Sequence, residues 1–119
     1  MKLSEVKKLL NATVLTGEEL LDNEAESAFG SDLMSDVLAF VNDRVILLTG
    51  LINLQVVRTA EMMDISAIIF VRGKIPGEDI IELAKSRGML VMTTSKTMYV
   101  ASGILYSNGL NGEEKGGVG

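Results

Sequence analysis

The chain has 119 residues and a net charge of −5, with 47% hydrophobic residues but only 4% aromatics, which suits one domain around an aliphatic, Met-rich core. It contains no Cys and no His, which excludes thiolate catalysis, disulfides, Cys/His metal sites and the usual general base near neutral pH. The acidic balance argues against a nucleic-acid surface, which needs a basic stripe, and no apolar run approaches the roughly 20 residues of a membrane helix.

The opening MKLSEVKKLL is charged throughout, unlike a secretory signal, so a cytoplasmic protein is expected. Residues 3–10 read as a first helix with Val6, Leu9 and Leu10 on one face, ended by Asn11. Thr13 to Leu15 is a short extended piece. Thr16-Gly17-Glu18-Glu19 has the form of a capping box before a short helix through Leu21. Asp22 to Gly30 alternates imperfectly and reads as an edge strand. Ser31 then caps a helix from Asp32 to about Val41, with Leu33, Val37, Leu38 and Val41 inward, Met34 beside them, and Asn42-Asp43 as the turn.

From Val45 the pattern becomes regular. Apolar runs begin near Val45, Ala67 and Met89, at a constant spacing that matches one short βα unit. The run Ala67 to Val71 is rich in β-branched residues, as a strand buried on both faces is. Asn53 to Met63 is helical, with Leu54, Val57, Ala60 and Met63 on one side. Pro76 fits the first turn of the next helix, whose inner face is Ile80, Ile81, Leu83 and Ala84, and Gly88 stops it. A last helix opens at Ser95 or Lys96 and runs through Tyr106, with Met98, Val100, Ala101, Ile104 and Leu105 apolar. Most methionines fall on inner positions; Met62 does not, and is a candidate for a subunit contact. The pattern predicts an α/β fold: a small three-layer sandwich, with a mainly parallel sheet of about four to five strands and helices on both faces. Residues 1–107 form the expected domain. Residues 108–119, NGLNGEEKGGVG, are an expected mobile tail.

Ligands of open parallel sheets bind outside the carboxyl ends of the strands. Here those ends are Thr49-Gly50, Arg72-Gly73 and Thr93-Thr94-Ser95, with Ser31 and Asp32 at an earlier helix start as further ligand-binding candidates. Hydroxyls, glycines, a guanidinium and free helix N–H groups suit a small anionic or phosphate-bearing ligand. The plainer alternative stays open: threonines cap helices, glycines turn corners, and Arg72 pairs with Glu78 or Asp79. Asp32 and Asp36, one helical turn apart, could join Glu24 or Glu26 around Mg²⁺. That is the basis of a less favoured reading as a Mg-dependent phosphotransfer enzyme. Its alternative is that Asp32 complements the helix N-terminus and Asp36 is solvated. No phosphate loop or GxGxxG fingerprint is present, since Ile75-Pro76 follows Gly73-Lys74.

TGEELLDNEAESAFGSDLMSDVLAF and IIFVRGKIPGEDIIELAKSRGMLVMTTSKTMYVASGILY together resemble the DRTGG domain, related to the N-terminal domain of bacterial HPr kinase/phosphorylase. The resemblance spans Val6 to Leu110. It rests on the helix start Gly30 to Val37, on Arg72-Gly73 with Pro76, and on Thr93-Thr94. The name-giving signature falls on Asp22 to Ala28. Asp22 is kept, but Asn23 stands where the family has Arg, and Ser27-Ala28 where it has two glycines. The resemblance implies a small α/β module, often fused to nucleotide-sensing CBS domains or preceding a kinase domain. Kinase chemistry in the HPr enzyme belongs to its C-terminal domain. The resemblance therefore argues against catalysis and for a regulatory or assembly module; a self-associating homodimer without a cofactor is the favoured expectation. The remaining alternative is a stand-alone interaction partner of a kinase or redox enzyme.

Overall fold

The computed structural model describes residues 1–40 and 44–112. Val41, Asn42 and Asp43 lie outside the described residues, as does the part of the expected tail beyond Gly112. In chain order the elements are α1 (Leu3–Leu10), β1 (Thr13–Thr16), a 3-10 turn (Glu18–Leu20), β2 (Ser27–Gly30), α2 (Met34–Phe40), β3 (Val45–Thr49), α3 (Leu54–Met62), β4 (Ala67–Phe70), α4 (Glu78–Ser86), β5 (Leu90–Thr93), α5 (Met98–Ser107) and β6 (Asn111–Gly112). They build one six-stranded sheet in the order β1-β5-β4-β3-β2-β6. Only the β1–β5 pair is antiparallel, and its register shifts at a bulge between Val14 and Thr16. The other four pairs are parallel.

Helices on both faces of a mainly parallel sheet are what the sequence predicts, with more strands than expected. Each inner strand reads as an apolar run because it is covered on both sides. Ile46 and Leu48 of β3 face one core, and Val45 and Leu47 the other. On β4, Ala67 and Ile69 alternate with Ile68 and Phe70 in the same way. Strands β2 to β5 follow one another across the sheet through three crossovers. A uniform right-handed crossover sends all three connecting helices to one face. Residues of α2, α3 and α4 accordingly share a core, while α1 and α5 cover the opposite face.

Several local expectations are corrected. Gly17, at φ +86°, sits ahead of the 3-10 turn, and no side chain caps it, so the Thr16 capping box does not form. A Cβ on Gly17 would come within 2.6 Å of Leu90 Cα, so the chain leaves β1 pressed against the backbone of β5. Leu33 and Leu38 of the α2 region are 58% and 44% exposed, and among the described side chains of α2 Met34 and Val37 are the buried ones. Pro76 is buried in the approach to α4, which begins after the N-cap Gly77. β2 is not the edge, because β6 pairs outside it. Leu110 is buried in the α1–α5 core. Residues 108–112 thus belong to the fold, where a tail was expected.

Candidate functional site

The parallel register levels the strand tips: Thr49 lies beside Phe70, and Phe70 beside Thr93. β2 ends one place lower, with Gly30 beside Leu48. Its continuation, Ser31-Asp32, therefore reaches the same rim. Residues far apart in sequence meet there because the tips converge, not because any local motif joins them.

Asp32 is the hub of this rim. One carboxylate oxygen accepts the Gly50 N–H at 2.7 Å and the Thr49 hydroxyl at 3.2 Å. The other lies 4.0 Å from Arg72 Nη2. Arg72 therefore pairs loosely with Asp32; the sequence-based alternative of Glu78 or Asp79 is not the partner found. Both side chains of the pair are about half exposed, so the pair itself adds little stability. Among the described residues Asp32, at 4.0 Å, is the ionic partner of a half-exposed guanidinium with five N–H donors, so Arg72 keeps donor capacity for a ligand.

The backbone beneath Arg72 is unusual. Arg72 and Gly73 both have positive φ, +60° and +68°, and the Lys74 N–H closes the turn onto the Val71 carbonyl at 3.1 Å. Two positive φ values in succession are the pattern of a type I′ turn, in which a non-glycine residue is strained by roughly 1–2 kcal/mol. The turn is pinned to the β5–α5 loop by Arg72 N–H to Lys96 O, 2.8 Å, and Gly73 N–H to Thr94 O, 2.9 Å. The Thr93 hydroxyl adds a bond to Lys74 O at 2.7 Å. The Arg72 side chain passes over Gly50, where a Cβ would stand 2.6 Å from Nη2.

The other expected site residues divide between rim and scaffold. Ser31 bonds back on the Leu33 backbone, accepting its N–H at 3.0 Å, as an N-terminal turn does. Thr49 is fully buried and also accepts the Leu51 N–H. Thr94 is buried too, and donates to Leu10 O at 2.7 Å, tying α5's approach loop to the end of α1. Thr49, Gly50 and Thr94 are buried and hold the rim in shape, while Asp32, Arg72 and Gly73 form its exposed part.

The Mg²⁺ set is not assembled. Glu24 and Glu26 precede β2, whereas Asp32 follows it, so the length of a strand, about 13 Å, separates them. Glu26 instead pairs with Arg44 at 3.2 Å. Among the described residues no cluster of three carboxylates could hold a metal ion.

A feature missed in the sequence lies at the opposite end of the sheet. An open cavity of about 550 Å³ is bordered by Asn23, Glu24, Ala25, Arg44, Asp64 and Ser66, at the amino ends of the strands. Arg44 and Asp64 have φ of +59° and +60°. The signal that could have found it is the segment Asp22 to Ala28, which supplies three of these six residues.

A model of the DRTGG domain family matches residues 5–107. The solved structure of the CBS and DRTGG domains of the regulatory region of Clostridium perfringens pyrophosphatase, complexed with the activator diadenosine tetraphosphate, superimposes on 87% of this chain. The TM-score is 0.73 at 22% sequence identity, which is a likeness of fold. The match covers 45% of that longer chain. A search of curated proteins found no match.

Proposed function

The chain belongs to the DRTGG domain family, and from that premise we propose that it is a non-catalytic regulatory and assembly module that senses a small phosphate-bearing ligand at the strand tips. The observation that carries this reading is the Arg72 guanidinium, held over Gly50 by a strained turn and only loosely engaged by Asp32. The Arg72 N–H is bonded to Lys96 O and the Thr93 hydroxyl to Lys74 O, so three basic residues share this rim, where Asp32 is the carboxylate paired with Arg72. A phosphate supplies oxygens that match the Arg72 fork better than a carboxylate at 4.0 Å does. The structurally similar pyrophosphatase region was solved with a phosphate-rich dinucleotide activator, which supports ligands of the same chemistry here. The relation to the HPr kinase N-terminal domain and a cytoplasmic location fit the same reading. So does self-association, or a kinase or redox enzyme that reads the ligand state in trans. No described helix is long and apolar enough to cross a membrane.

Thermal melting against a panel of nucleotides, dinucleoside polyphosphates and sugar phosphates tests it. At least one is expected to raise the melting temperature of the chain, and Arg72→Ala is expected to abolish the shift. A chain indifferent to the whole panel overturns the ligand part.

A second reading places the ligand in the cavity at the amino ends of the strands, because the family's signature segment lines it. Under that reading Arg44→Ala, and not Arg72→Ala, removes the thermal shift.

A further inference from the structure

Helix α5 is apolar on the side away from the protein as well as on the side against it. Ala101 and Leu105 are buried, yet Tyr99 and Tyr106, two turns apart on the outer face, are 89% and 70% exposed. Val100 is exposed beside them. The helix carries no charged residue from Met98 to Ser107. A helix apolar all round is normally covered all round. Between the two tyrosines lies Gly103, where an added Cβ would meet nothing within 4 Å. The result is an open hollow of about 570 Å³ with tyrosines at both ends and Ser102 and Gly103 along its floor.

We infer that this face of α5 is the contact through which two copies of the chain associate, as an antiparallel helix pair about a two-fold axis. The inference rests on the assembly half of the proposed function and specifies its surface.

Two observations select a second copy as the occupant. The first is the spacing of three exposed residues on the outer face: Tyr99, then Gly103, then Tyr106. A two-fold axis beside Gly103 sets Tyr99 of each copy against the other copy's Tyr106, with the exposed Gly103 of both at the crossing. That is the self-complementarity an isologous contact demands. Small residues at the crossing let the axes approach to about 8 Å, the short end of helix packing. The tyrosines then flank the crossing on both sides, where paired rings favour offset contact.

The second observation is charge. The whole chain carries −5, which opposes its own association. The layer formed by α1 and α5 holds only Glu5, Lys7 and Lys8 within its helices, whereas α2, α3 and α4 hold Asp36, Arg58, Glu61, Glu78, Asp79, Glu82 and Lys85. Two acidic copies therefore meet with least repulsion through the α1–α5 layer. Met62 is also exposed, but it lies on α3 next to exposed Arg58 and Glu61, a poorer surface for self-contact.

Sedimentation equilibrium on the full chain tests this. The unaltered chain is expected to be a dimer. Tyr99→Lys and Tyr106→Glu are each expected to give a monomer with unchanged circular dichroism. The double variant sets a lysine opposite a glutamate twice across the axis, and is expected to recover the dimer in a salt-sensitive form. Gly103→Arg, at a position with open space before it, gives a monomer without a change in the core. A dimer that survives these single substitutions overturns this interface and leaves self-association by another face. Singles that dissociate without recovery in the double variant overturn the antiparallel pairing. A chain that stays monomeric at its highest soluble concentration overturns both the interface and the assembly reading.

Discussion

The guanidinium of Arg72 occupies the space that a side chain on Gly50 would need: a Cβ there would stand 2.6 Å from Nη2 and 3.2 Å from Nε. Strand tips β3 and β4 are thereby coupled through one residue's absence of a side chain.

Gly50→Ala should displace the arginine without unfolding the chain, because what must give way is the end of a flexible side chain. Phosphate-ligand affinity is expected to fall about tenfold, or roughly 1.4 kcal/mol, while the ligand-free melting temperature barely moves. Titration calorimetry paired with thermal melting checks both. Unchanged affinity would show that the position of Arg72 is irrelevant to binding.

Arg72→Gly separates strain from contact. The turn at φ +60° suits glycine, and the exposed ion pair with Asp32 contributes little. Ligand-free stability is expected to stay level or rise by up to about 1 kcal/mol, after the entropic cost of an added glycine. Binding should nevertheless be lost. Urea denaturation reads the first, and ligand-induced melting shifts the second. A marked loss of stability would mean that Arg72 is a structural residue.

Asp32→Ala leaves the Gly50 N–H and the buried Thr49 hydroxyl without their acceptor. The carboxylate is half open to water, so the cost should fall at the low end for such losses, about 1–2 kcal/mol. Asp32→Asn keeps an oxygen in place and should cost less than half as much. Equal losses in the two variants would argue that the charge, and not the hydrogen bonds, fixes the rim.

Leu110→Ala tests where the domain ends. Leu110 is buried against the α1–α5 core, so the substitution should destabilise by about 2–4 kcal/mol. Truncation after Ser107 should cost at least as much, since it also removes the pairing of β6 with β2. A truncated chain as stable as the full one would restore the boundary expected from the sequence.

The central fold was legible because β3, β4 and β5 are buried on both faces, which writes each as an apolar run. The same logic failed at the edges. β6 is two residues long and has no pattern to read, and Leu110 is a single apolar residue among glycines and asparagines. On α2 the stripe was drawn too wide, because Leu33 and Leu38 are apolar but outward. The convergence of the strand tips on one rim was also legible. Its pairing was not readable: Arg72 has acidic neighbours in sequence, but the sheet brings it to Asp32 across β3. The cavity at the other end depends on the backbone at Arg44 and Asp64, whose positive φ no composition rule announces.

The outer strands carry a last consequence. One margin of the sheet is kinked at the bulge between Val14 and Thr16, and the other, among the described residues, offers a paired stretch of two residues. Among the described residues neither presents a straight template long enough to recruit a further strand. The molecule is thereby guarded against open-ended stacking into fibres, and growth of its assemblies is left to helical surfaces, which can close.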